Sequence, residues 1–206
     1  MLQEIEKEDT TVPALLHCDL KVMGKDGSIW ADSFWAYQKL EPRVMADFNR
    51  VLVQNSVTGC AMVCNRALRD LAGDIPPEAV MHDWWLALIA ASMGKLNFLC
   101  EPLIHYRQHD TNDTGAKQWG GKFIIDRLRQ FFADRKTMRK SVQRTIRQAR
   151  AFRQRFAGRL SADKLEILEA YCSLPEQPRL KRWRTVSRYG FWKYGLVRNL
   201  AYLLLL

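Results

Sequence analysis

Residues 82–106 read HDWWLALIAASMGKLNFLCEPLIHY. From Trp84 to Met93 the side chains are apolar nearly all round, the pattern of a buried helix, and Gly94 supplies its stop. Leu96 to Tyr106 resumes with strand-like composition. Pro102 cannot donate to a ladder, so this strand is expected at a sheet edge or on a bulge. The segments upstream follow the same alternation. Ala14 to Met23 (ALLHCDLKVM) is an apolar run closed by Gly24-Lys25-Asp26-Gly27, which predicts a buried strand and a hairpin-like turn into Ser28-Ile29-Trp30. A short helix is expected from Pro42 through Phe48 to Leu52. Val57 to Cys64 (VTGCAMVC) predicts a second buried strand, after which Asn65 caps a helix from Arg66 to Ala72 that stops at Gly73. Strand, helix, strand, helix, strand is an α/β order, here with three or four strands.

The character changes towards the carboxyl terminus. Met1 to Asp113 holds 10 Lys/Arg and 16 Asp/Glu, a balance of −6, while Thr114 to Leu206 holds 22 and 6, a balance of +16. Such an asymmetry implies different partners for the two parts. Residues 1–115 read as an enzyme-type globule and residues 116–206 as a basic, mostly helical region. After Gly120-Gly121, the residues Phe123, Ile124, Leu128, Phe131 and Phe132 mark one apolar helix face. A long helical stretch rich in Lys and Arg follows between Arg135 and Arg159. A further helix, Ala162 to Tyr171, starts at a Ser161 cap, and Pro175 and Pro178 close it. The five cysteines are odd in number and scattered, and the CxxxC pair Cys60 and Cys64 has no second Cys or His cluster beside it. Buried free thiols in a reducing compartment are therefore expected rather than a zinc site. The acidic, polar start MLQEIEKEDTT is not the pattern of a secretory signal.

Four short stretches put polar, chemistry-bearing residues at the edges of buried elements. They are His17-Cys18-Asp19-Leu20, Asn55-Ser56-Val57-Thr58-Gly59-Cys60, His82-Asp83-Trp84-Trp85, and Tyr106-Arg107-Gln108-His109 with Asn112. Asp83 opens a helix, where the macrodipole favours a carboxylate by about 0.3–1 kcal/mol. A carboxylate at a pocket edge can take a proton from an attacking hydroxyl; equally, it can simply cap the helix. Trp84 and Trp85 read as core residues of that helix. Arg107 offers a fork of donors to a phosphate, or is an ordinary loop residue like His109. Gly59 permits a close backbone approach, or marks a bulge. Asp19 is a single carboxylate in an apolar run, which is little to build a metal site on.

In this order the four stretches resemble the family 2 glycosyltransferases of bacteria, especially the rhamnosyltransferase-like members that build surface polysaccharides. The resemblance covers about Pro13 to Gly115 and implies the carboxyl-terminal, acceptor-side half of a GT-A domain. It implies Asp83 as the general base, Thr58 and Gly59 with Trp84, Trp85 and Arg107 as substrate-binding residues, and His109 as a ligand of a divalent metal, Mg²⁺ or Mn²⁺. The implied chemistry is inverting sugar transfer from a nucleotide-sugar donor to a cell-surface polysaccharide or lipid-linked glycan acceptor. The family's Asp-rich metal and nucleotide segment is expected upstream of the HxDL strand, and this chain begins about a dozen residues before that strand. A separate donor-binding half is thus an implied partner, and the rival expectations are an inactive remnant or split-gene fragment, or a non-enzymatic basic module that binds membrane or nucleic acid.

The basic region carries its own alternatives. Lys and Arg interleaved with aromatics suit nucleic acid or an anionic surface, but no nucleic-acid motif with fixed spacing is present, so none is expected to bind. Gly190 to Leu206, with Lys193 and Arg198 inside it, is short and interrupted for a membrane span. It suits a helix in the membrane interface, with aromatics at headgroup depth and Leu203–Leu206 dipping in. The expected location is cytoplasmic, at the inner face of the plasma membrane. A solvated basic helix packed on its own domain is the plainer alternative.

Overall fold

The computed structural model describes residues 1–108 and 135–206. His109, Asn112, Gly120-Gly121 and the apolar face from Phe123 to Phe132 lie outside the described residues. The chain is mixed α/β with a small mixed sheet. Strand β1, Ala14–Met23, is the central strand and is buried along nearly its whole length. Strand β4, Lys95–Arg107, runs parallel to it from Ala14↔Lys95 to Met23↔Arg107. On the other edge of β1, strand β3 (Met62–Cys64) pairs antiparallel with Leu15–His17, and strand β2 (Ile29–Ala31) pairs antiparallel with Val22 and Met23. Burial on both faces explains why β1 is rich in apolar residues, with His17 and Asp19 buried among them.

Pro102 sits where the parallel register slips. Cys18 faces Leu99, Asp19 faces Pro102 and Leu20 faces Ile104, so β4 carries extra residues against one stretch of β1. Cys100, Glu101 and Leu103 are the residues without a partner, and Pro102 falls between the two irregularities, where the ladder is interrupted on either side of it. At the start of the same strand, Lys95 N–H donates to Pro13 O at 2.8 Å. A Cβ on Gly94 would lie 1.8 Å from that carbonyl oxygen. Because the obstacle is backbone, no rotamer change relieves it. Gly94→Ala should therefore destabilise the fold by about 1–3 kcal/mol or more, read as a lowered urea midpoint; an unchanged midpoint would refute this packing.

One short helix precedes β1, and five more, α2 to α6, lie between β1 and β4. Helix α1 is Leu2–Ile5, preceding β1, and α2 is Phe34–Gln38. The single helix expected from Pro42 to Leu52 is two, α3 (Pro42–Met45) and α4 (Phe48–Val51), because Asp47 is extended and starts the second. Helix α5, Arg66–Ala72, has the expected cap. Asn65 Oδ1 accepts from Leu68 N–H and from Ala14 N–H, both at 3.0 Å, so one side chain caps the helix and ties it to β1. Helix α6 is His82–Met93. The expected strand from Val57 to Cys64 shortens to Met62–Cys64, since Gly59–Ala61 forms a 3₁₀ turn.

After the undescribed segment come α7 (Arg135–Phe156), α8 (Ala162–Cys172), α9 (Arg179–Tyr189) and α10 (Leu196–Leu205). Ser161 takes the N-cap position of α8 without a side-chain capping bond to its backbone. Val142, Ile146, Ala149, Phe152 and Phe156 make the buried face of α7 at helical spacing. They pack with Leu15, Phe48, Trp85, Leu168, Tyr171, Phe191 and Tyr202 in one apolar cluster. The change of charge along the sequence is thus not a break in the core: acidic and basic parts share it. Among the described residues, no helix is long and apolar enough to cross a membrane. The interfacial helix expected over Gly190–Leu206 is corrected on two points. It begins only at Leu196, and Phe191, Tyr202 and Leu205 point into the protein's own core. The thiols also differ from expectation: Cys18 and Cys172 are buried, whereas Cys60, Cys64 and Cys100 are exposed, all free.

His17 lies in the sheet with its ring 5.4 Å from that of Trp35 and 6.3 Å from that of Phe98. Its Nδ1 has no hydrogen-bond partner among the described residues. Burial holds its pKa down to about 4 from an ordinary 6.5. The unfolded chain therefore takes up a proton near pH 6.5 that the folded protein refuses until about pH 4. The stability from this difference is complete above 6.5 and is lost as pH falls towards 4, in total roughly 3 kcal/mol. His17→Leu should flatten that part of a melting-temperature profile; an acid slope equal to that of the parent would show that His17 is not its source.

Candidate active site at the start of helix α6

Asp83 occupies the first turn of α6 and is 2% exposed. Both of its oxygens are held. Oδ1 accepts from Asn55 Nδ2 at 3.1 Å, and Oδ2 accepts from Gly59 N–H at 2.9 Å. Asn55 is oriented by its own loop. Its Oδ1 accepts from Val57 N–H at 3.0 Å, an Asx turn, which leaves the amide NH₂ facing Asp83 and Val57 O. The sequence placed Asn55 inside a motif without giving it a role; an Asn two residues before Val57, in a loop between apolar runs, is the signal for that turn.

Gly59 is required by closeness. A Cβ there would lie 2.5 Å from His82 Nε2, 2.9 Å from His82 Cε1 and 3.4 Å from Asp83 Oδ2. The backbone N–H reaches the carboxylate only because nothing stands between. His82 is exposed and covers this contact, a second residue to which sequence reasoning assigned no function. Burial pushes the Asp83 carboxyl above its ordinary value, against the opposing pull of His82 and of the Trp84, Gly59 and Asn55 donors. A raised pKa makes a carboxylate a better proton acceptor. A carboxylate has about four lone-pair directions, so the Asn55, Gly59 and Trp84 donors leave one for a hydroxyl.

The other expected site residues divide. Thr58 precedes the 3₁₀ turn and accepts Ala61 N–H at its carbonyl, 2.8 Å, beside Gly59. Trp84 is half-buried, with its indole N–H donating to Val51 O at 2.6 Å. Trp85 is a core residue, correcting its expected place on the substrate: it is fully buried, its ring 5.4 Å from Phe152 and 6.1 Å from Phe156. No face of it is open to a sugar. Arg107 ends β4 opposite Met23 and donates to Lys25 O at 2.8 Å, holding the β1–β2 turn. That is the opposite end of β1 from the β3 pairing that carries Gly59 into place. His109 lies outside the described residues.

Asp19 has a local occupation. Its carboxylate accepts from Leu20 N–H at 2.8 Å, from Trp35 N–H at 3.1 Å and from the Ser33 hydroxyl, so it fixes the start of α2. Among the described residues, no group of three or more His, Cys, Asp or Glu side chains is gathered where a metal ion could be held. An open groove of about 720 Å³ lined by Arg147, Arg150, Arg153 and Arg155 does not include Asp83. Arg150 is there paired with Glu176 at 2.6 Å, and Arg155 donates to Asp74 O at 2.6 Å. No family model, curated protein or solved structure matches the chain.

Proposed function

We propose that this chain forms the acceptor side of an inverting glycosyltransferase of the family 2, GT-A type, working peripherally at an anionic membrane surface. The observation that carries the reading is Asp83: a buried carboxylate, its pKa raised by burial, oriented by Gly59 N–H and Asn55 at the start of a rigid helix. In the proposed reaction Asp83 takes the proton of an acceptor hydroxyl as that oxygen attacks the anomeric carbon of a nucleotide sugar. The bond from that carbon to the diphosphate breaks on the opposite face, and the configuration inverts. Because Asp83 is nearly enclosed, the acceptor approaches past His82 and Cys60, the exposed residues beside it.

The donor is a nucleotide sugar and the acceptor a surface polysaccharide or lipid-linked glycan; a separate donor-binding half is the partner this chain would need if it binds no donor alone. The resemblance also implies Mg²⁺ or Mn²⁺ at the leaving diphosphate. The described residues do not assemble a donor set for it, and no step above depends on it. The test is calorimetry of the full chain against a panel of nucleotide sugars with and without Mg²⁺ or Mn²⁺, followed by a transfer assay with a glycan acceptor. Binding and transfer support the reading. Binding without transfer favours an inactive remnant, and no binding to any donor overturns an autonomous enzyme.

A further inference from the structure

Helices α9 and α10 leave apolar side chains on the surface in an ordered way. On α10, Leu196, Leu200 and Leu204 recur every fourth residue, so they form one stripe, and each is between 55% and 76% exposed. The opposite side of the helix is used up inside, since Tyr202 and Leu205 are core residues. On α9, Leu180 and Trp183 are one turn apart and also exposed. Trp183 Nε1 reaches Leu203 O at 3.4 Å, which sets the indole beside the end of the leucine stripe. Single exposed apolar residues are ordinary, but a contiguous set marks an interaction surface.

The charges around the stripe select the partner. From Arg179 to Leu206 there are seven Lys/Arg and no Asp or Glu. Some of the seven are engaged within the protein. Arg182 donates to Gln177 O at 2.8 Å, and Arg198 donates to Lys39 O at 2.6 Å and to Gln38 O. The side chains of Arg179, Lys181 and Arg184 make no hydrogen bond or ion pair among the described residues, and all three are exposed on α9. A second copy of the chain docking by twofold symmetry would set this cationic patch against itself. A nucleic acid would match the charge but leave the leucines and the tryptophan in water. An anionic bilayer satisfies both, phosphates meeting the cations and the acyl boundary taking the apolar stripe.

We infer that the α9–α10 face, Leu180, Trp183, Leu196, Leu200 and Leu204 with Arg179, Lys181 and Arg184, is the surface by which the protein docks on an anionic lipid bilayer. This inference rests on the peripheral-membrane part of the reading above and gives it a place and an orientation.

The experiment uses the full chain, sedimented with vesicles of phosphatidylcholine alone and of phosphatidylcholine with phosphatidylglycerol, across a salt series. The parent should bind the phosphatidylglycerol vesicles and weaken as salt rises. The pair Leu200→Asp with Leu204→Asp should lose about tenfold or more in affinity, and Arg184→Glu a smaller part. All three positions are exposed, and far-UV circular dichroism confirms that the variants stay folded. The inference is overturned if the parent ignores anionic vesicles, if the double variant binds as well as the parent, or if the parent is retained on duplex DNA and not on vesicles. It is equally overturned if the leucine substitutions only convert a dimer into a monomer in analytical ultracentrifugation. Asp83→Asn should bind vesicles like the parent. Vesicle binding without sugar transfer would therefore refute the enzymatic reading alone, and transfer without vesicle binding the docking surface alone.

Discussion

Asp83→Asn should lower the rate of sugar transfer by about 10²- to 10⁴-fold, the usual contribution of a positioned general base, and leave the fold in place. Asparagine has nearly the shape of aspartate, and its oxygen can still accept from Gly59 N–H, which now reaches Asp83 at 2.9 Å, while the bond from Asn55 to the other oxygen is given up. What it cannot do is take a proton. The wild-type pH profile adds a second mark. Burial raises the Asp83 pKa, so the rising limb of activity should lie at higher pH than the ordinary aspartate value of about 3.9. Above that limb the base is ionised and active; below it the carboxyl is protonated and transfer fails. A variant within about threefold of wild type would remove Asp83 from the chemistry, whatever the fold.

The largest effect on stability is expected one residue pair along the same helix. Trp85→Ala should cost about 3–5 kcal/mol, as large aromatic truncations in cores do. Trp85 is fully buried and meets Phe152 and Phe156 edge-on or tilted, so its loss leaves a hole between α6 and α7 that neither helix can close without moving. Chemical denaturation followed by circular dichroism measures it. A cost below about 1 kcal/mol would mean that the two halves of the chain do not depend on each other through this contact. The pair of tryptophans then separates cleanly by experiment, since Trp84 is only half-buried and its removal should be milder.

Much of the scaffold was legible in the sequence where a local signal and the tertiary structure agree. The strand Ala14–Met23 is bounded by Pro13 and the Gly24 turn, and the structure keeps those limits. Asn65 and Gly73 bracket α5 as read, and Gly94 ends α6. The misread elements have tertiary causes. Residues 57–61 have strand composition, yet Gly59 must approach His82 and Asp83, and that contact takes the backbone into a 3₁₀ turn. Helix α6 is apolar nearly all round, so periodicity could not say which of Trp84 and Trp85 faces inwards. The final leucines hide their phase in the same way, and Tyr202 and Leu205 turned out to be the inward pair. For the site, Asp83 was readable from its position at a helix start, whereas Asn55 and His82 became functional candidates only when the loop and the helix were seen together.

The apolar cluster joins Leu15, from the first strand, with Leu205, from the last helix. Contacts so far apart in sequence make folding slow, because a long loop must close before they give anything back. They also set its timing during synthesis. A ribosome exposes the chain from its amino terminus, and the sheet's parallel partner, β4, emerges only after α6. Tyr171, Phe191 and Tyr202 follow later still, so the nascent chain carries open apolar surface until Tyr202 and Leu205 have emerged. Chaperone capture is therefore expected throughout elongation, and stalled chains ending before α10 should be protease-sensitive and aggregation-prone, while those extended past Leu205 should not.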